Sequence, residues 1–314
     1  MALWLKYSGD YFQPELLFND LPVLKGVGFE GVLLPVLKPD SGGLRTRTRL
    51  RYFPLLMLME AAAQAGLKTG LVLDCFHNPI LWQNEEFTPP VNSSGVAYLP
   101  QSTYFPVCPN NPQSIVYFDR VLAKMNQLPP PDFYYFEHFG YPFFWQNEEL
   151  DIQLHVPPFC YCPFCITEFS SVVGEIVSTG HQLFEFMPEW LEWRTETMFD
   201  MLVNTRDVLA NRAKIIVAVP PLSVIDLPFT TGVLPMAYVK EGFWISPSML
   251  YRLKKKSFAW VEDLFEQYAM EITDKRVMPM FDPASAREIQ IIRRWEKQFA
   301  AIIFHDRQVL TLLK

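Results

Sequence analysis

Short apolar runs alternate with longer stretches of helical spacing along this chain of 314 residues. The runs are Ala2–Tyr7, Gly31–Leu37, Lys68–Cys75, Asp132–His138, Lys214–Val219, Val233–Val239, Arg276–Phe281 and Ala300–His305. Each is nearly continuous in apolar character, as a strand buried on both faces must be. Val233–Val239 is the weakest, because Pro235 removes a ladder donor. Between the runs, apolar residues recur every three or four positions. Leu16, Leu17, Leu21 and Leu24 give a helix over Pro14–Lys25, with Pro22 as a blemish and Gly26 and Gly28 as its stop. Further helices are expected over Pro54–Ala65, Pro112–Gln127, Pro188–Arg212, Phe258–Met270 and Ser285–Gln298, with another opening near Pro163.

Eight strands alternating with helices predict a (β/α)8 TIM barrel of the α/β class. No shift of composition marks a boundary, so residues 1–314 are expected to form one domain. The rival is a doubly wound open sheet. It needs no eighth strand, and it usually carries a glycine-rich turn that Ser8-Gly9-Asp10 does not supply. Two connections are long for such a barrel: Phe76–Asn111 after the third strand and Phe139–Phe159 after the fourth. Both are rich in aromatics, as ordered loops on a substrate side would be.

Composition narrows the partners. The formal net charge is −7 and the pI near 5.3, an acidic balance that argues against nucleic acid. The basic run Leu44–Arg51 reads as a solvated loop sooner than as an anion-binding arm. No apolar run reaches the roughly 18 residues that span a membrane. No leader pattern precedes the first strand, so a soluble, cytoplasmic protein is expected. Oligomeric state leaves no signal.

In a barrel, reactive groups sit at the C-terminal ends of the strands. Collecting polar residues there gives Asp74 and His77, Glu137 and His138, Tyr238 and Glu241, Asp282, and His305 with Asp306. Trp82, Tyr141, Phe144, Trp145 and Trp244 lie in adjoining segments. Acids beside aromatics suit a carbohydrate: sugar faces stack on rings, and cleavage needs one protonated and one ionised carboxyl group. Glu137 is the expected general acid, with Asp74 or Asp282 as second carboxylate. His77, Trp82, His138, Tyr141, Trp145, Tyr238, His305 and Asp306 are the expected substrate contacts. Each acid has a plainer alternative; Asp282 before Pro283 is placed to cap the next helix. A barrel that binds sugar without cleaving it is the second reading. A metal-dependent hydrolase using His77, His138, His305 and Asp306 is the third.

Cys160, Cys162 and Cys165 form a C-x-C-x-x-C cluster, with Cys108 or His155 available as a fourth ligand for a structural zinc. A thiol cluster or one disulfide pinning the loop is the alternative, and a nucleophilic cysteine has no marked partner. No other cofactor is expected.

These residues carry a resemblance. Val107-Cys-Pro-Asn-Asn-Pro112 before a helix, an aromatic fourth strand ending in an acid, and Phe159-Cys-Tyr-Cys-Pro-Phe-Cys165 resemble a group of uncharacterised glycoside-hydrolase-like TIM-barrel proteins. Leu234–Tyr238 and Ala301–Asp306 are similar to their sixth and eighth strands. The likeness spans roughly Leu71 to Leu310. It implies a barrel with a sugar-cleaving site at the strand ends, and places Glu137 where such proteins carry an acid on the fourth strand. Here the pair is Glu137-His138, and Phe136 stands where the large retaining clan has Asn. Asp282 stands where that clan has a Glu nucleophile.

Overall fold

The computed structural model describes residues 2–7, 12–38, 51–99, 105–142, 159–210, 212–219, 243–245, 258–259, 263, 277–297, 299–305 and 307–313. The strands are β1 (Ala2–Lys6), β2 (Gly31–Pro35), β3 (Leu37–Lys38), β4 (Arg51–Tyr52), β5 (Lys68–Asp74), β6 (Phe133–Glu137), β7 (Lys214–Val219), β8 (Phe243–Ile245), β9 (Val277–Phe281) and β10 (Ala301–His305). All but the small antiparallel pair β3–β4 join one sheet, in the order β1-β10-β9-β8-β7-β6-β5-β2. Every neighbouring pair in it is parallel, and β2 pairs back to β1, which rules out the open-sheet alternative.

One strand is not where the apolar pattern put it. The partner between β7 and β9 is Phe243–Ile245, a short aromatic and β-branched run that suits a pleated surface. Val233–Val239 lies outside the described residues. Tyr238 and Glu241 therefore precede the sixth barrel strand in the chain instead of following it.

Helices cover the sheet where the chain is described: α1 (Pro14–Gly26), α2 (Leu55–Gln64), α3 (Pro112–Met125), α4 (Pro163–Val173), α5 (Met187–Val208), α6 (Ala286–Arg294) and α7 (Val309–Leu312). Proline opens α1 and α3 at a position whose N–H would be unpaired in any case. Asn111 caps α3 by accepting from the Gln113 N–H at 2.9 Å. Ser285 caps α6, and Glu288 answers by accepting from the Ala284 N–H at 2.7 Å. The capping role open to Asp282 is thus filled by another residue. Most of the expected helix Phe258–Met270 lies outside the described residues.

Two apolar cores share the strands by alternation. Trp4, Leu33, Val72, Phe133, Tyr135, Ile216, Met278, Met280, Ala301 and Ile303 pack together inside the ring. Their chain neighbours, among them Leu5, Leu34, Leu73, Phe136, Val217 and Phe304, pack outward under the helices. Period-two geometry accounts for this, and it explains why the strands read as unbroken apolar runs. Gly31 and Gly70 make room at the base. A Cβ on Gly31 would lie 2.4 Å from the Trp4 ring, and one on Gly70 would lie 2.5 Å from Leu33.

Candidate functional site

The same alternation fixes what reaches the mouth. Two positions beyond Trp4, Val72, Tyr135, Met280 and Ile303 stand Lys6, Asp74, Glu137, Asp282 and His305. Side chains two apart on a strand share a face. Lys6, Asp74, Glu137 and His305 close their strands and therefore belong to the inner face, one layer above the packed interior, while Asp282 follows β9 directly. Register agrees: Asp74 pairs with Glu137 across β5 and β6, and Lys6 pairs with His305 across β1 and β10.

Asp74 holds two imidazoles. Its Oδ2 lies 2.7 Å from Nδ1 of His77, and its Oδ1 lies 2.6 Å from Nδ1 of His138. Burial alone would raise the Asp74 carboxyl, but the charges and hydrogen bonds of His77 and His138 overcome this and hold it well below the usual carboxylate range. An ionised carboxylate only accepts, so both Nδ1 atoms carry hydrogen. The two rings stand 5.5 Å apart, centroid to centroid. His138 adopts φ 49°, a left-handed conformation uncommon for a residue with a side chain. That turn brings the residue after Glu137 back to Asp74.

Glu137 accepts from the ammonium of Lys6, which reaches across the mouth from β1. The Lys6 ammonium also lies 5.8 Å from the centre of the Tyr135 ring below it. Lys6 is a mouth residue that the apolar pattern of β1 conceals. Its signal was a lone cation in an otherwise apolar strand, two positions after Trp4.

The remaining candidates divide. Asp282 and His305 are half-buried at the mouth. Trp82 is half-buried in the β5–α3 loop, its Nε1 donating to the Pro106 carbonyl at 2.8 Å and its ring packed near Phe87 and Tyr98. Tyr141 is buried, and its hydroxyl donates to Asn110 at 2.6 Å. It stands among the groups around the cysteines, not on an open sugar platform. Trp145, Tyr238, Asp306 and His155 lie outside the described residues, as do Glu241 and the side chain of Trp244.

In its described parts, the long loop after β5 is held by polar residues. Buried Asn78 accepts from the N–H groups of Ile80 and Leu81, and Asn92 accepts from those of Ser94 and Val96. The Val107 N–H returns to the Phe76 carbonyl, which sets Cys108 beside the second long loop.

There the four cysteines meet. Cys108, Cys160, Cys162 and Cys165 are all buried, with their sulfurs within 4.8 Å of one another. Cys108 lies 3.3 Å from Cys165 and 3.6 Å from Cys162, and Cys162 lies 3.6 Å from Cys165. All are free thiols, so the disulfide alternative does not describe them. Sulfurs about 2.3 Å from a tetrahedral zinc stand about 3.8 Å apart, so the spacing and the donor set fit zinc. Hydrogen bonds from Cys108, Cys160 and Cys165 pull the Cys162 thiol down against burial, while burial pushes Cys108 and Cys165 up. Among the described residues this is the one group arranged to hold a metal. The imidazoles of His77 and His138 turn to a carboxylate instead.

No protein-family model and no curated protein matches the chain. Solved structures do. The glycoside hydrolase domain of PgaB (BpsB) from Bordetella bronchiseptica superposes with a TM-score of 0.71 at 10% identity, over 99% of this chain and 94% of that one. The β-galactosidase of the Antarctic haloarchaeon Halorubrum lacusprofundi gives 0.65 at 11%, over 97% of this chain and 52% of its own. The catalytic domain of β-amylase from Paenibacillus polymyxa gives 0.59 at 10%, over 96% and 91%. The chain thus spans about half the length of the galactosidase and nearly all of the other two domains. At such identities the likeness establishes the fold: a parallel α/β sheet curled as in TIM-barrel glycoside hydrolases.

Proposed function

We propose that residues 1–314 form a single (β/α)8 domain that hydrolyses a glycosidic bond at its mouth. The observation that carries the reading is the pairing of Asp74 with Glu137 at the ends of β5 and β6, two positions beyond the inner residues Val72 and Tyr135, with Asp282 following Met280 just past β9. The fold shared with glycoside hydrolases supports it. Cleavage needs a proton for the leaving oxygen and an ionised carboxylate against the oxocarbenium-like sugar. Glu137 is assigned the first role and Asp282, three strands round the ring, the second. Asp74 keeps His77 and His138 oriented as hydrogen-bonding partners for sugar hydroxyls, with His305 and Trp82 beside them. Paired with Lys6, Glu137 is ionised and has no proton to give; a substrate entering the mouth competes for that ammonium, and the freed Glu137 takes up a proton from water before passing it to the leaving oxygen. Five free cysteines suit a reducing compartment, in keeping with a cytoplasmic location.

The test is a screen of aryl glycosides and polysaccharides with wild type, Glu137→Gln and Asp282→Asn. Turnover by wild type that falls at least about 100-fold in both variants supports the reading. Equal turnover in wild type and Glu137→Gln removes Glu137 from the chemistry. The Lys6–Glu137 contact favours a second reading, a barrel that binds sugar without cleaving it. Glycan-array binding with no turnover by wild type would establish that alternative.

The four cysteines are assigned a structural zinc. Bound there, zinc would supply cross-linking between the two long loops and no open coordination position. Cys108 anchors the loop that carries His77; Cys160, Cys162 and Cys165 anchor the one that follows His138. Elemental analysis of protein purified without chelator should find about one zinc per chain.

A further inference from the structure

Arg194, on α5, is fully buried. Its Nη2 donates to the Phe159 carbonyl at 2.8 Å, and its Nη1 reaches the Cys160 carbonyl at 3.4 Å. Its Nε has no partner. The guanidinium carbon lies 3.9 Å from the centre of the Tyr141 ring and 5.7 Å from that of Trp190. Among the described residues no carboxylate forms an ion pair with it. A guanidinium stays charged at any ordinary pH, and burying a charge without a counter-charge is costly. Two carbonyls and two ring faces relieve that cost only in part.

A source of negative charge is next door. Arg194 grips the two residues that open the C-x-C-x-x-C segment. The Tyr141 ring under it sends its hydroxyl to Asn110, and Asn110 Oδ1 lies 3.8 Å from the Cys165 sulfur. When four thiols take up a divalent ion they release four protons. The centre then carries four thiolate charges against two from the metal, a net double negative charge in a dry setting. We propose that Arg194 is the counter-charge of this metal–tetrathiolate centre, acting as a positioning and charge-balancing residue beyond the four ligands. The inference rests on the zinc reading above. It explains why an arginine lies buried here with no carboxylate among the described residues paired to it, and why its fork is spent on the backbone that presents Cys160. Outer-shell partners of metal ligands commonly change affinity about 10- to 100-fold when lost.

The experiment uses the full chain as wild type, Arg194→Gln and Arg194→Lys, purified with zinc. Affinity for Zn(II) and Co(II) is measured by competition with a chromophoric chelator, and Co(II)–thiolate absorption reports the ligand set. Gln keeps a donor for one carbonyl and loses the charge; Lys keeps the charge and loses the fork. Arg194→Gln should lose metal affinity at least about 10-fold, and Arg194→Lys should stay within about threefold of wild type. Equal affinity of wild type and Arg194→Gln overturns the proposal. So does a loss in Arg194→Lys as large as about 10-fold, which would mark the fork as a strut; this outcome stands even where the Gln variant yields no folded protein. A wild type that takes up neither ion with thiolate absorption sinks the zinc reading itself, and Arg194 with it.

Discussion

Replacing Asp74 with Asn tests the electrostatics of the mouth with almost no change of shape. Asp74 accepts from two imidazoles, at 2.7 and 2.6 Å. Hydrogen bonds to a charged group contribute about 1.5–3 kcal/mol each when sheltered. The Asp74 side chain keeps 37% of its surface exposed, against 19% for His77 and 36% for His138, so solvent screening discounts both bonds. A loss of about 1–2 kcal/mol near neutral pH is expected, because Asn accepts from one imidazole and turns an N–H toward the other. The pH dependence carries the sharper signal. Asp74 is held below the usual carboxylate range by its two partners. A depressed folded-state value contributes stability that is present above the unfolded value of about 3.9 and lost as pH falls through the folded one. Urea denaturation of wild type and Asp74→Asn, at about pH 6 and about pH 3, should show the gap between them narrowing on acidification. The Nδ1 resonances of His77 and His138 should move in the same variant. A gap that stays constant, or widens toward acid, would refute the account of Asp74 as an ionised clamp.

Gly70→Ala places a methyl 2.5 Å from Leu33 and 3.0 Å from the Phe133 ring, and should cost about 1–3 kcal/mol in denaturant titration through overpacking of the barrel base. Lys6→Met removes the ammonium from Glu137, whose side chain is only 19% exposed, and should lower stability by about 2–4 kcal/mol; Lys6→Met with Glu137→Gln should recover part of that loss. Stripping metal with a chelator should unclip the loop pair joined by Cys108, Cys160, Cys162 and Cys165, seen as faster amide exchange over 105–110 and 159–165 with the β-sheet amides unchanged.

Much of the architecture was legible because its determinants are local. Strands closed into a ring must be apolar on both faces, and helices laid on them must be apolar on one, so periodicity marked seven of the eight ring strands close to where they stand. The exception, β8, is only Phe243–Ile245, too short to outweigh the longer apolar run before it. The same rule that named Asp74, Glu137, Asp282 and His305 concealed Lys6, because a lysine within an apolar strand reads as a blemish until the alternation of the inner core shows which way it faces.

Amino-acid order determined which residues end each strand, since that depends on neighbours a few positions apart. It also brought Cys160, Cys162 and Cys165 together, by spacing alone. Only the folded chain decided which distant groups meet. Asp74 lies 64 positions from His138, Lys6 131 from Glu137 and Cys108 57 from Cys165. Nothing local encodes those separations: they follow from closing the sheet and from where the two long loops cross. The conversion of Tyr141 from an expected sugar platform into a buried neighbour of Arg194 has the same origin. Burial is a property of what packs over a residue, and that is settled in three dimensions.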